Sequence, residues 1–177
     1  MGEINQNKVE VKHLTKYFGS LHVLNDISFN IKKGDFVCVV GPTGCGKTTF
    51  LNCLTRIYMP TKGDLFIDGA PADPKKHDLA FVFQEPSSIP WKTVEQNLRF
   101  SLELKKIDKK TIDERVENMI RLLGLEEFRD QYPSQLSVST AQRIIIGRAF
   151  AMNPDLLLMD EPYGQMDIKL RFYLEDE

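Results

Sequence analysis

The stretch that decides the fold reads Gly41-Pro42-Thr43-Gly44-Cys45-Gly46-Lys47-Thr48-Thr49. Its spacing, G-x-x-x-x-G-K-T, is that of a phosphate-binding loop, in which backbone N–H groups and a helix N-terminus surround a phosphate chain. Lys47 would add a charge near the β and γ phosphates, and the Thr48 hydroxyl suits Mg²⁺. Glycine is required because a Cβ would block the close approach of the backbone. We therefore expect all nine residues to line a nucleotide site.

The flanks of this loop support the interpretation. Residues 36–40, Phe-Val-Cys-Val-Val, form a short apolar run that is typical of a buried strand. Residues 49–54 continue as an apolar stretch that predicts a helix opening directly from the loop. Strand, loop and helix in this order are the structural context that the motif needs, which makes a chance match in an ordinary loop improbable.

The composition sets the class of protein. The chain has 177 residues, 42% of them hydrophobic, which is enough for one globular domain with a core. The formal net charge of −2 argues against a large nucleic-acid surface, so we expect no nucleic-acid partner. No apolar run approaches the length of a membrane span, so any role at a membrane would come through a partner. The three cysteines lack metal-ligand spacing and are expected to be reduced thiols.

Local patterns predict an α/β arrangement around the loop. Residues 9–40 are strand-like, and Ile27, Phe29 and Ile31 alternate with polar neighbours as in a half-buried strand. Short strands are expected at 65–69 and 79–83. After residue 86 the pattern becomes helical: Thr93 and Gln96 form a possible capping box, and helices are expected near 94–104, 111–123 and 139–151. This part is typical of a helical insertion in an α/β domain.

Two acids follow the last apolar strand. Leu156-Leu157-Leu158-Met159 leads directly into Asp160 and Glu161. At a strand tip, Asp160 could hold the shell of a Mg²⁺ ion, directly or through water, and Glu161 could orient or deprotonate the water that attacks the γ-phosphate. Surface acids after a strand are common, but here they accompany a phosphate loop, so we assign both to the site.

Four further segments, taken together with the phosphate loop, match the sequence motifs of a known protein family. They are Leu14-Thr15-Lys16-Tyr17-Phe18-Gly19, Phe83-Gln84-Glu85-Pro86, Gln135-Leu136-Ser137 with Gln142-Arg143, and the run from Glu161 to Asp167. Together with the phosphate loop they make the chain resemble the ATP-binding cassette (ABC) family, the motor subunits of ABC transporters, over essentially its whole length. The resemblance implies a P-loop NTPase fold with a RecA-like parallel core, an N-terminal antiparallel β subdomain and a helical insertion. It implies core and antiparallel parts at 1–86 and 147–177, and a helical subdomain at 87–146.

The resemblance also assigns roles to single residues. Phe18 would stack on adenine, with Tyr17 as the alternative, and either ring could instead belong to the core. Gln84 would reach the metal and sense a transmembrane permease subunit. Ser137 would meet the γ-phosphate that is bound by the opposite subunit of a homodimer, or of a heterodimer with a paralogue. The expected metal donors are Thr48, Gln84 and Asp160.

These roles imply an ATP- and Mg²⁺-dependent ATPase that energises an importer from the cytoplasmic face of the cell membrane. Catalysis would rest on Glu161, Lys47 and Gln84. The segments Gln84-Glu85-Pro86 and Ile89-Pro90-Trp91 are similar to those of importers of nitrate, sulfonates or taurine.

The chain departs from the family pattern in two places. The signature, usually L-S-G-G-Q, is Leu136-Ser137-Val138-Ser139-Thr140, and the β-branched Val138 could not adopt a positive φ without strain. The family's switch histidine would follow residue 177, and His13, His22 and His77 all precede Asp160. We therefore expect a C-terminally truncated domain that lacks its last core strands, with a gap beside the strand of the phosphate loop.

Two other functions are compatible with parts of this pattern. A chain with an altered signature and no switch histidine could bind nucleotide, or only a partner, without hydrolysing ATP. A small P-loop kinase is disfavoured, because no arginine-rich lid segment follows and the Gln84 segment and signature would be unexplained.

Overall fold

The computed structural model describes residues 6–85 and 87–162. These described residues form two compact units, which divide between residues 79 and 80. The first unit contains strands β1 (Asn7–Phe18), β2 (Leu21–Lys32), β3 (Lys62–Ile67) and β4 (Ala70–Pro71), and helix α1 (Lys47–Leu54). The second contains the paired strands β5 (Leu79–Val82) and β6 (Leu156–Met159), and helices α2 (Val94–Leu104), α3 (Lys109–Leu122) and α4 (Val138–Ala151). Two short 3₁₀ turns, Glu126–Phe128 and Pro133–Gln135, precede α4.

The first unit is built on an antiparallel sheet with the strand order β2-β1-β3-β4. Strands β1 and β2 form a hairpin in which Val11 pairs with Phe29. The predicted alternation is confirmed, because Ile27 and Phe29 are half-buried while their neighbours are exposed. Val9, Val11 and Leu14 on β1 are almost fully buried and form one side of the core.

The helical part of the second unit follows local capping signals closely. The hydroxyl of Thr93 accepts a hydrogen bond from the Gln96 N–H at 3.3 Å, and Gln96 Oε1 accepts one from the Thr93 N–H at 3.1 Å, which completes the predicted capping box of α2. Asp108 caps α3 in the same way through the Thr111 N–H. The apolar faces of α2, α3 and α4 then enclose a buried core that includes Leu98, Leu102, Val116, Ile120, Leu123 and Ile144.

Helix α4 also packs on the strand pair β5–β6. Ile145, Ile146 and Ala149 of the helix form a buried cluster with Ala80 and Val82 of β5, and Leu157 and Met159 of β6 pack against that cluster. The N–H of Asp160 donates to the carbonyl of Val82 at 3.0 Å, so the carboxyl ends of both strands meet at one edge. This edge carries the residues that immediately follow each strand.

The prediction of a buried strand at 36–40 is wrong for this structure. None of the described strands pairs with this segment, and Phe36 and Val40 are 94% and 91% exposed. Short apolar segments become strands only when neighbouring strands satisfy their backbone groups, so the composition of the segment was not sufficient.

Candidate functional site

The phosphate-loop motif forms a tight turn that runs directly into α1. The Cys45 N–H donates to the Pro42 carbonyl at 3.3 Å, and the helix begins at Lys47 with Gly46 as its N-cap. The ammonium group of Lys47 folds back over the loop and donates to the carbonyls of Gly41 at 3.0 Å and Pro42 at 3.2 Å. The lysine charge and the helix N-terminus therefore lie on the same loop, which is the arrangement that attracts an anion.

Two glycines permit this conformation. Gly44 and Gly46 have φ angles of +81° and +102°, values that residues with a Cβ rarely adopt. At Gly46 a Cβ would also lie 2.8 Å from Leu24 Cδ2 and 3.2 Å from the Val23 carbonyl oxygen. The loop therefore packs directly against β2, and only a glycine fits at the contact.

The loop is open to solvent on its other side. Residues 41–45 are exposed, as is Thr48, while Phe50 two residues further along α1 is buried. Phe50 contacts Phe29 of β2 with ring centroids 5.5 Å apart. The helix is thus anchored to the sheet by its apolar face, and its first turn keeps the Thr48 hydroxyl accessible to a ligand.

The two aromatic candidates at the end of β1 differ in their surroundings. The Tyr17 ring stacks on His22 at a centroid distance of 4.1 Å. The Phe18 ring meets Tyr58 edge-on at 5.2 Å, and the ammonium of Lys16 lies 4.8 Å from its centroid. Both rings are partly exposed. Since Tyr17 already has a stacking partner, Phe18 remains the better candidate for a base, and its role stays a prediction.

In the second unit, the residues that follow β5 and β6 come together. The side-chain amide of Gln84 donates a hydrogen bond of 2.9 Å to Oε2 of Glu161, although 77 positions separate them. Asp160 is 4% exposed, and its backbone N–H donates to the carbonyl of Val82. Gln84, Asp160 and Glu161, three of the predicted catalytic and metal-binding residues, therefore share one edge of the strand pair.

The altered signature forms the first turn of α4. Ser137 is the N-cap, and its Oγ accepts from the Thr140 N–H at 3.1 Å and lies 2.9 Å from the Thr140 hydroxyl. Val138 is the first helical residue, has no positive φ and is 56% exposed. The expected strain at Val138 is therefore absent, because a helical N1 position accepts a β-branched residue.

The predicted site is divided between the two compact units. The loop residues 41–49 and Phe18 lie in the first unit, whereas Gln84, Ser137, Asp160 and Glu161 lie in the second. That Lys47 approaches Asp160 and Glu161 stays a prediction. Residues 163–167 of the segment that resembles the family's D-loop lie outside the described residues.

The predicted metal donors are a hydroxyl, an amide carbonyl and a carboxylate. All three are hard oxygen ligands, and this donor set fits Mg²⁺ rather than a softer metal. Within residues 6–85 and 87–162, no group of three or more His, Cys, Asp or Glu side chains is arranged to hold a metal ion. Over the same part of the chain, no helix is both long and apolar enough to cross a bilayer.

Sequence reasoning did not assign a structural role to two residues of α4. Gln142 donates from Nε2 to the carbonyl of Pro162 at 3.1 Å, and Arg148 donates to the carbonyl of Ser87 at 3.1 Å. Burial lowers the pKa of the Arg148 guanidinium. A polar residue on an otherwise apolar helical face was the available signal, but its partners lie 20 and 61 positions away and could not be read from local pattern.

The fold and the loop define a class: an α/β protein with a phosphate-binding loop at the start of a helix. The ABC transporter family model matches residues 24–164. The chain belongs to the ABC transporter family.

Characterised relatives and a solved structure agree with this assignment. The chain is 39% identical to the spermidine/putrescine import ATP-binding protein PotA of Bacillus cereus, covering 96% of this chain and 53% of PotA. It is 36% identical to the aliphatic sulfonates import ATP-binding protein SsuB of another Bacillus cereus strain, covering 95% of this chain and 67% of SsuB. A dimeric post-hydrolysis structure of the ATP-binding cassette MJ0796 with ADP and Pi matches with a TM-score of 0.86 and 31% identity, covering 95% of this chain and 80% of that one. The chain spans about half the length of several curated relatives.

Proposed function

We propose that the chain is the ATP-binding and ATP-hydrolysing subunit of an ABC importer. The observation that carries this proposal is the phosphate loop itself, in which Gly44 and Gly46 adopt positive φ angles and Lys47 lies over the loop carbonyls at the start of α1. A loop of this geometry with an exposed lysine-bearing face is suited to the phosphates of a nucleotide.

The proposed chemistry divides among the residues as follows. The loop amides and Lys47 bind the β and γ phosphates, and Phe18 stacks on the base. Thr48, Gln84 and Asp160 would hold Mg²⁺, which when bound neutralises developing phosphate charge. Glu161 orients the attacking water or accepts its proton. The hydrogen bond between Gln84 and Glu161 supports this assignment, since it keeps both side chains at the same strand edge.

Assembly with other subunits belongs to the same proposal. Two copies, or one copy with a paralogue, would place the Ser137 turn of one subunit against the nucleotide of the other. The dimeric state of the MJ0796 structure supports such an arrangement. Trp91, which is 75% exposed beyond the Gln84 segment, would contact a permease subunit at the cytoplasmic face of the membrane.

For the transported substrate we propose a chemical class of solute and not a single compound. The Gln84-Glu85-Pro86 and Ile89-Pro90-Trp91 segments favour a nitrate-, sulfonate- or taurine-like solute, and the sulfonate-import relative supports that choice. The polyamine-import relative is as similar to the chain, so family membership alone does not select the solute.

The test measures nucleotide binding and phosphate release separately. The chain is titrated with MgATP, and phosphate release is followed for the wild type and for Glu161→Gln, with Glu114→Gln on the exposed face of α3 as the matched control. We expect binding by all three proteins and loss of turnover only in Glu161→Gln. Binding by the wild type without phosphate release would instead favour the non-hydrolysing module, and no binding would contradict both functions.

A further inference from the structure

The turn that carries Glu161 is conformationally costly and is held from three sides. Glu161 has a φ of +48°, in the left-handed region that a residue with a side chain rarely occupies. The N–H of Asp160 before it donates to the Val82 carbonyl at 3.0 Å. The Pro162 carbonyl after it accepts from Gln142 at 3.1 Å, and the Glu161 carboxylate accepts from Gln84 at 2.9 Å. Such a conformation persists only where its surroundings impose it.

Gln142 is the one of these anchors that belongs to the signature helix. It lies on α4, five residues after the N-cap Ser137, and is 1% exposed. An α-helix has about 3.6 residues per turn, so Gln142 lies roughly one and a half turns after Ser137. A single rigid element therefore connects the signature turn to the backbone beside Glu161.

Burying the side-chain amide of Gln142 costs free energy unless its polar atoms form hydrogen bonds. Its Oε1 is buried and, among the described residues, has no hydrogen-bond partner. A buried amide with one unsatisfied end is less stable there than an apolar side chain of the same shape, which leaves no polar atom without a partner. The Nε2 bond to the Pro162 carbonyl is the contact that accounts for an amide at this position.

We propose that Gln142 is a positioning residue, which fixes the Glu161–Pro162 turn to the signature helix and so aligns Glu161 with Gln84. This inference rests on the proposed function for its effect on turnover. Its structural content, the dependence of the Gln84–Glu161 contact on Gln142, stands independently of ATP hydrolysis.

The first experiment follows the side-chain amide of Gln84 by NMR in ¹⁵N-labelled chain. The resonance is assigned by its loss in Gln84→Met, which has no side-chain amide, and Glu161→Ala gives its position without the hydrogen bond. We expect Gln142→Met to move the resonance toward the Glu161→Ala position. Arg115→Met serves as the matched control. Arg115 lies on α3 and donates a hydrogen bond of 3.2 Å to the carbonyl of Ala151, at the opposite end of α4 from the signature. It should leave the resonance in place.

The second experiment measures MgATP affinity and turnover in the same variants. A misaligned reacting group loses rate rather than affinity, so Gln142→Met should lower turnover about tenfold and leave MgATP affinity within about twofold. Gln142→Asn, whose shorter amide cannot reach Pro162, provides a second variant if the methionine protein does not fold.

The outcomes separate this inference from the proposed function. An unmoved Gln84 resonance in the Gln142 variants overturns the inference, and so does a moved resonance with undiminished turnover in an active protein. A wild-type chain that folds but releases no phosphate contradicts the proposed function. In that case a moved resonance still supports the link between Gln142 and Glu161.

Discussion

The ammonium nitrogen of Lys47 lies 3.0 Å from the carbonyl oxygen of Gly41, so the lysine spans the full loop that precedes it. A second bond of 3.2 Å to the Pro42 carbonyl holds it in the same place. The contact orders the loop before any nucleotide binds and leaves the positive charge at the loop surface. In the proposed function, Lys47 would exchange these carbonyl partners for phosphate oxygens when a nucleotide binds.

Replacing Lys47 with Met should weaken nucleotide binding. The substitution keeps an unbranched, flexible side chain but removes the charged ammonium group, and charge-assisted hydrogen bonds are worth about 1.5–3 kcal/mol each. We expect MgATP affinity to fall at least about tenfold and the MgATP-induced rise in Tm to disappear, as differential scanning fluorimetry would show. Lys110→Met on the exposed face of α3 is the control. Equal Tm shifts in the two variants would contradict the assigned role of Lys47.

Substitution of the two loop glycines should have unequal effects on stability. Gly46→Ala adds both backbone strain and a Cβ at 2.8 Å from Leu24 Cδ2, whereas Gly44→Ala adds strain alone, since no atom lies within 4 Å of its Cβ. The strain costs about 1–2 kcal/mol at either position. Urea denaturation should therefore show a larger loss of unfolding free energy in Gly46→Ala. A loss as large in Gly44→Ala would mean that the contact with Leu24 relaxes without cost.

Phe18 and Tyr17 can be distinguished with two ligands. Stacking on an aromatic ring is worth about 1–3 kcal/mol per base, and a phosphate chain without a base gains none of it. Phe18→Ala should weaken binding of MgATP about fivefold or more and leave binding of magnesium tripolyphosphate unchanged. Tyr17→Ala, whose ring is already stacked on His22, should change neither. Isothermal titration calorimetry measures the affinity of each variant for both ligands. Weaker MgATP binding in Tyr17→Ala and unchanged binding in Phe18→Ala would assign base stacking to Tyr17.

An ion-pair cluster should make the stability of the first unit depend on pH. The hydrogen bond from Lys8 at 2.7 Å, assisted by Lys33 at 3.1 Å, lowers the pKa of Asp68. A carboxyl whose pKa is lower in the folded state stabilises the fold above its unfolded pKa, and this contribution is lost as the pH falls through the folded pKa. Asp68→Asn should thus cost up to about 1 kcal/mol at neutral pH and nothing in strong acid.

The cluster is tested by urea unfolding at several pH values, with Lys8→Met completing a double-mutant cycle. Asparagine suits the left-handed φ of +50° at Asp68, so the substitution removes charge without adding backbone strain. A stability difference that persists unchanged in acid would show that the charge of Asp68 is not the cause.

Restoring glycines to the signature should raise turnover of an assembled transporter. Val138 is 56% exposed on the first turn of α4, at the helix N-terminus that would face a nucleotide. Val138→Gly with Ser139→Gly would let a nucleotide approach the backbone amides of this turn more closely, at a helix-propensity cost of about 1 kcal/mol per glycine. We expect phosphate release to increase at least about tenfold if an additional charge-assisted bond forms in the transition state. An unchanged rate would show that the altered signature is harmless.

The elements that were predicted correctly depend on neighbouring residues in the chain. The capping box at Thr93 and Gln96 spans three residues, and the half-buried alternation of Ile27 and Phe29 is a property of one strand. The predicted strand at 36–40 is wrong because strand formation depends on residues that are distant in the chain. A strand needs partners elsewhere in the chain, and its own composition does not supply them.

The sequence by itself determined the phosphate loop, because its glycines, its lysine and the first turn of the following helix lie within nine consecutive residues and their geometry follows from local backbone conformation. It also predicted the signature helix within one residue of its observed start, which the hydroxyl of Ser137 caps through the N–H of Thr140 three positions on. The tertiary structure alone decided that Gln84 contacts Glu161 and that Gln142 holds Pro162. These contacts join the ends of separate strands and a helix, and only the packing of α4 on β5 and β6 brings such distant positions within hydrogen-bond distance.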